Sequence, residues 1–230
     1  MCVWLLGCGV AGAQELQINE TSYAELKALE PVVEGFATQV SIWDELRIGK
    51  AAVGQMLAGQ SLRTRTGRGL DTHWVLDRRK ALRPLALATG SDGPVAGVVR
   101  DGAFGGNALV GIGPPQDGMG QFRLGTGIVT VLFDEPQCLF GLRTWLDGGQ
   151  DNIVMRDHPE GNLNLIFWNE AGEELGEFRR FLDQGLTEVG YIQSAGSYPE
   201  IRAVTIQNLD PEGIGIDEIL HAPMCPMIVS

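Results

Sequence analysis

Gly127-Ile128-Val129-Thr130-Val131-Leu132-Phe133, followed by Leu139 to Leu146 and by Leu163-Asn164-Leu165-Ile166-Phe167-Trp168, is the stretch on which the fold turns. The first run is β-branched and aromatic, bounded by glycine. The second alternates, and the third carries large apolar side chains at every other position before the turn Asn169-Glu170-Ala171-Gly172. Period two is the signature of strands, whose successive side chains face opposite sides of a sheet. Downstream, Glu174 to Phe181, Glu188 to Ile192, Ile201 to Asn208 and Gly215 to Leu220 continue the pattern. No helix long enough for a parallel crossover separates them, so a doubly wound α/β fold is disfavoured and an all-β antiparallel β-sandwich of the jelly-roll kind is predicted.

Upstream the pattern is the same but more broken. Strand-length apolar runs recur at Val32 to Ile42, Gly54 to Leu62, Trp74 to Leu76, Leu85 to Ala88 and Val95 to Val99. Before them Ser22 and Glu25 form a capping box, with Tyr23, Leu26 and Leu29 at helical spacing and Pro31 ending the run; this predicts one short N-terminal helix. The segment Phe104 to Phe122 is rich in glycine and contains Pro114-Pro115. Proline donates no ladder hydrogen bond, so this segment predicts a long loop, either functional or a connection between sheets.

The 230 residues, 44% of them hydrophobic and 32 of them glycine, suit one sizeable sandwich domain over residues 14–230. Residues 1–13 form an apolar run ending in Ala11-Gly12-Ala13 ahead of Gln14-Glu15, which reads as a signal peptide with a small-x-small cleavage site. The run lacks a basic start, and a buried first strand is the structural alternative. A rival route uses Leu5-Leu6-Gly7-Cys8, a lipobox-like pattern that would anchor the chain through a lipid on Cys8. Either route places the domain outside the cytoplasm, secreted, periplasmic or at the cell surface. Cys138 and Cys225 would then remain as an even pair in an oxidising compartment, either bridged or as two separate buried thiols. The mature chain has no apolar stretch near the ~20 residues of a membrane helix.

Charge narrows the partners. The chain carries a net charge of −12, and residues 134–218 hold 17 acidic side chains against five arginines, while the chain before them balances at 12 against 12. An acidic half repels phosphate backbones, so nucleic acid is disfavoured. The basic cluster Arg63, Arg65, Arg68, Arg78, Arg79, Lys80 and Arg83 reads either as an anion contact or as strand-edge charges that guard against aggregation.

Three patterns carry a likeness to known domains: Gly125-Thr126-Gly127 running into Val131-Leu132-Phe133-Asp134-Glu135-Pro136-Gln137 and Gly141; Phe167 to Gly172; and Ile201 to Asn208 leading to Gly213 to Ile219. Together they resemble exported bacterial β-sandwich domains, galactose-binding-like jelly rolls of the type found in proteins with PEP-type C-terminal sorting signals. The tail Met224 to Ser230 departs from the anchored members in having neither a span nor a basic end. The resemblance implies a β-sandwich outside the cytoplasm and no particular substrate.

Calcium is the first candidate cofactor. Jelly rolls of the carbohydrate-binding kind, which the chain resembles, often hold a structural calcium beside the final strand, and Asp217, Glu218 and, near the first strand, Glu34 are the carboxylates placed to do so here. Ca²⁺ takes six to eight oxygens, and no spaced run of the EF-hand type is present, so the alternative is carboxylates that face solvent or cap a turn. Asp147-Gly148-Gly149-Gln150-Asp151-Asn152 is a weaker site of the same sort, which hairpin geometry alone explains. Catalysis has little support: His73, His158 and His221 are scattered, no nucleophile elbow or Walker motif occurs, and Asp134 and Glu135 are strand neighbours facing opposite sides.

For a binder, aromatics that stack on sugar faces matter. Of Trp43, Trp74, Trp145, Trp168, Tyr191 and Tyr198, the pair Trp145 and Trp168 sits in apolar strands and reads as core, whereas Trp43 and Tyr198 lie beside polar and turn residues. The sequence therefore predicts a non-catalytic module for a carbohydrate or other cell-surface polymer, with two rivals: an envelope structural or interaction protein, and a jelly-roll polysaccharide hydrolase.

Overall fold

The computed structural model describes residues 18–36, 41–43, 46–66, 72–88, 96–101, 106–116, 121–146, 162–194, 198–209 and 213–225. The first half runs β1 (Ile18–Thr21), α1 (Tyr23–Lys27), β2 (Val32–Gly35), β3 (Ser41–Trp43), β4 (Leu46–Ile48), β5 (Ala51–Gly54), β6 (Ser61–Thr66), β7 (Thr72–Arg78), β8 (Ala96–Asp101), β9 (Gly106–Gln116) and β10 (Gln121–Leu124). The second half runs β11 (Ile128–Gln137), β12 (Leu139–Leu146), β13 (Leu163–Trp168), β14 (Glu174–Arg180), β15 (Gly185–Gln193), β16 (Ile201–Asn208) and β17 (Ile214–Ala222).

Every pairing among the described strands is antiparallel. One nine-stranded sheet has the order β1-β15-β12-β17-β9-β8-β3, with β2 also on β17 and β10 on β9; a six-stranded sheet has the order β14-β13-β16-β11-β5-β4; β6 and β7 form a separate hairpin. The chain is an all-β sandwich. Its core is the layer between the two large sheets, where Phe140, Leu142, Tyr191 and Ile216 of the first meet Val131, Phe133, Leu165, Phe167 and Ile206 of the second. Phe167 is ringed by Phe140, Phe178 and Tyr191 at centroid distances of 5.8, 5.5 and 5.2 Å, in the tilted and edge-on arrangements aromatic quadrupoles favour.

All six residues of β13 are buried. Leu163, Leu165 and Phe167 enter the central core. Ile166 and Trp168 face the other way, into a second cluster with Leu57, Leu76, Leu87 and Ile128 that residues 56–66 and 72–88 lay over the back of the six-stranded sheet. A strand covered on both faces loses the polar half of its alternation. The predicted capping box forms as well: Glu25 N donates to Ser22 Oγ at 3.1 Å and Ser22 N to Glu25 Oε2 at 3.0 Å, and Tyr23 and Leu26 bury the helix against the nine-stranded sheet.

Several expectations for the first half need correction. Phe104 to Phe122 is not a long loop: it contains β9 and β10. β9 pairs with β8 over Gly106 to Gly111, and Pro114 and Pro115 fall beyond that stretch, where β10 lies alongside with Phe122 opposite Pro115. A strand end flanked on one side tolerates a missing N–H. Leu85 to Ala88 is no strand but a strap touching Leu57 by one bridge at Leu87. Val32 to Ile42 divides into β2 and β3, and a strand, β1, precedes the helix.

The Gly125-Thr126-Gly127 pattern has a steric cause. There β9 crosses the start of β11 so closely that a Cβ on Gly127 would stand 2.4 Å from Ile112 O, and one on Gly111 2.6 Å from Gly127 C. Only glycine permits such an approach.

Candidate functional site

β17 carries two polar clusters, one on each face. On the outer face, Glu218 Oε1 accepts from Tyr23 Oη of the helix at 2.5 Å and from Lys27 Nζ at 3.1 Å. A register shift opposite Arg143 and Thr144 brings Asp217 to the same spot, so that Arg143 Nε donates to Asp217 Oδ2 at 2.6 Å while Nη2 lies 3.3 Å from Glu218 Oε2. Burial acts to raise the Glu218 carboxyl, but the bonds from Tyr23 and Lys27 and the charge of Arg143 outweigh it and hold the group below its ordinary value. Burial and the bond to Glu218 push the Tyr23 hydroxyl well above the usual phenol range. Two carboxylates thus meet two cations and a phenol, with Glu188 of β15 opposite Arg143.

On the inner face, His221 is 1% exposed and stacks at a tilt on Phe133 at 4.9 Å. Its Nδ1 is 3.0 Å from Gln137 Oε1, and Gln137 Nε2 donates to Glu135 O at 2.6 Å. With the amide nitrogen so committed, Gln137 Oε1 is an acceptor, which assigns the proton to His221 Nδ1. Nε2 then looks toward Glu34 Oε1 at 3.5 Å. Burial holds the imidazole below its ordinary value, against Glu34, which favours the charged form. The Glu34 carboxylate itself sits over Gly49, where a side chain would collide with it.

The expected calcium ligands therefore do not converge. In the β2–β17 ladder Glu34 stands opposite Ile219 and Glu218 opposite Gly35, so the two carboxylates project to opposite faces; Glu218 is held by Tyr23, Lys27 and Arg143, and Glu34 lies 3.5 Å from His221 Nε2. Among the described residues no group of three or more His, Cys, Asp or Glu is placed to hold a metal ion. Asp147 to Asn152 lies outside the described residues, as do the signal segment 1–13 and Cys8. Cys138 and Cys225 are joined as a disulfide with Cα atoms 5.0 Å apart, fastening the chain after β17 to the corner between β11 and β12.

Of the aromatic candidates, Tyr198 is 86% exposed in the connection between β15 and β16. Trp43 ends β3 opposite Ala96, and its side chain lies outside the described residues. Trp168 and Tyr191 are core, Trp145 packs on a smaller apolar cluster under β9, and Trp74 is the hairpin's contact with the sheet back.

Much of the basic cluster is answered internally. Arg79 chelates Glu177 at 2.8 and 2.9 Å and reaches Glu174 at 3.3 Å, Arg83 meets Glu173 at 2.9 Å, and Arg63 meets Asp77 at 3.2 Å. The Arg79 guanidinium, outweighing the cost of burial, lowers the Glu177 carboxyl to about 2. Beside these pairs Lys80, Leu82, Arg83 and Glu173 line a shallow groove, with Leu82 58% exposed. Sequence reasoning missed this groove; the one available signal was an apolar residue, Leu82, set between basic residues and Pro84.

No protein-family model, curated protein or solved structure matches the chain.

Proposed function

We propose that this sandwich is an exported, non-catalytic binding module whose ligand is a glycan or another surface polymer. The observation that carries the reading is Tyr198, a large aromatic side chain 86% exposed on a connection held between two core strands. Such a ring offers an apolar face for a sugar and a hydroxyl for its rim. The Cys138–Cys225 bridge supports the extracytoplasmic part, because structural disulfides persist in oxidising compartments. The outer-face carboxylates support a binding role over a hydrolytic one, since both are spent on intramolecular partners. Calcium is not part of the proposal.

The test is a glycan array probed with the full chain and with Tyr198→Ala. Binding to a defined glycan class is expected for the wild type and a loss of at least tenfold for the variant, with an unchanged melting transition because exposed substitutions away from structural features shift stability little. A wild-type protein that binds no glycan or surface polymer, or a variant that binds equally well, overturns the reading.

A further inference from the structure

β14 is the outermost strand of the six-stranded sheet and pairs only with β13 among the described strands. Arg180 O accepts from Asn162 N at 2.9 Å, beside the first residue of β13. Backbone polar groups alternate along a strand, so those of Phe178 also point to β13, and those of Glu177 and Arg179 point outward. A strand edge of this kind is a template for another strand.

The sequence of that edge is complementary to itself. Placed antiparallel to a second β14 about a two-fold axis at Phe178, Glu177 of each chain stands opposite Arg179 of the other. Those two positions carry the outward N–H and C=O groups, so the register forms hydrogen-bonded pairs at both. Within one chain Arg179 Nη2 already lies 3.1 Å from Glu177 Oε1 on the same face. The second chain completes a square in which every carboxylate has an arginine along its strand and another across it. Phe178 faces its own counterpart in the closer, non-hydrogen-bonded pair, and Gly176, which bears no side chain, stands opposite Arg180 of the other chain. An edge that merely repels strands carries like charges in register; this one alternates them.

We infer that β14 is a homodimerisation edge, joining two copies of this chain through an isologous antiparallel pairing centred on Phe178, with the two six-stranded sheets running on into one. Arg79, holding Glu177 from the hairpin side at 2.8 Å, is the positioning residue that fixes this carboxylate at the edge.

Sedimentation velocity of the full chain over a range of concentrations tests this, with native mass spectrometry for mixtures. The wild type is expected to show a monomer–dimer equilibrium weakened by salt. Arg179→Glu and Glu177→Arg each place like charges opposite one another at two positions, and each is expected to weaken self-association roughly tenfold or more. An equimolar mixture of the two restores every opposite pair and is expected to yield the heterodimer. Arg179→Pro removes an outward N–H without touching the β13 ladder, so it is expected to be folded, with an unchanged circular dichroism spectrum, and monomeric. A wild type that stays monomeric, a dimer that persists in Arg179→Glu and Arg179→Pro, or charge-reversed chains that do not associate when mixed overturns the inference.

Discussion

The two faces of the six-stranded sheet are both buried, but they are built differently. Toward the central core, β11, β13 and β16 present Val131, Phe133, Leu165, Phe167, Val204 and Ile206, with the polar side chains Gln137 and Asn208 at the strand ends. Toward the hairpin, the same three strands present Thr130, Trp168 and Thr205 in a hydrogen-bonded chain. Trp168 Nε1 donates to Thr205 Oγ1 at 3.0 Å, the two threonine hydroxyls are 3.1 Å apart, and Thr130 Oγ1 donates to Gln55 O at 2.9 Å. Since the Thr130 proton goes to Gln55, Thr205 must donate to Thr130, and the chain runs in one direction. Gln207 Oε1 accepts from Leu76 N at 3.4 Å, and Gln60 spans Leu57 N and Arg79 O at 2.9 Å each, extending polar contacts through the layer. The lesson is that burial alone does not make a core: the centre of one face is held by packing, and the other face by packing plus directed bonds that fix where the hairpin sits.

The sharpest test of that contrast is Phe167→Ala. Removing a ring at the centre of the aromatic cluster is expected to cost about 3–5 kcal/mol in chemical denaturation, as large-to-small core changes do. If the loss is under about 1 kcal/mol, the central layer is not the main source of stability. Thr205→Val keeps the shape but removes the middle of the bonded chain, leaving Trp168 Nε1 buried without its acceptor; a loss of about 1–3 kcal/mol is expected from the same measurement. A neutral or stabilising result would show that the hairpin face works by apolar contact alone and erase the distinction.

The smallest effect is a matter of pH. Glu177 anchors the hairpin through Arg79, and its carboxyl lies at about 2 in the folded chain against roughly 4.3 in an unfolded one. A depressed folded value means that its contribution is present above the unfolded value and is lost as pH falls from about 5 toward 2. Glu177→Gln is expected to melt somewhat lower than wild type at neutral pH and to lose less between pH 5 and 2. Parallel pH profiles for the two proteins would show that this ion pair does not hold the hairpin.

The same contrast explains what was legible in the sequence. β12, β13 and β16 were readable within a residue because apolar side chains recur at alternate positions that face the space between the sheets. The capping box was readable because it is local chemistry over four residues. Around residues 56–88 the reading failed: the strap at Leu85 to Ala88 is apolar because it covers the back of a sheet, and coverage by a distant segment leaves no period of its own. β9 is not legible because Pro114 and Pro115 exclude a central strand but not a strand end with an open side. The carboxylates considered for calcium are kept apart by geometry: Glu34 and Glu218 lie on different strands, and only their register decides that they face opposite ways.

The sequence by itself determined the class of fold, the helix cap and the identity of the core strands, because strand periodicity and capping are set by neighbours a few residues apart. It also held the charge balance, in which an acidic second half is met by arginines and lysines of the first through Arg47 to Asp134, Arg79 to Glu177 and Lys27 to Glu218. Only the tertiary structure decided which of those charges meet, that Tyr198 stays in water while Tyr191 does not, that Cys138 and Cys225 come within bridging distance, and that β14 is left at an edge. Each of these depends on register and layer order between segments far apart in the chain, and no local pattern encodes the distance between them.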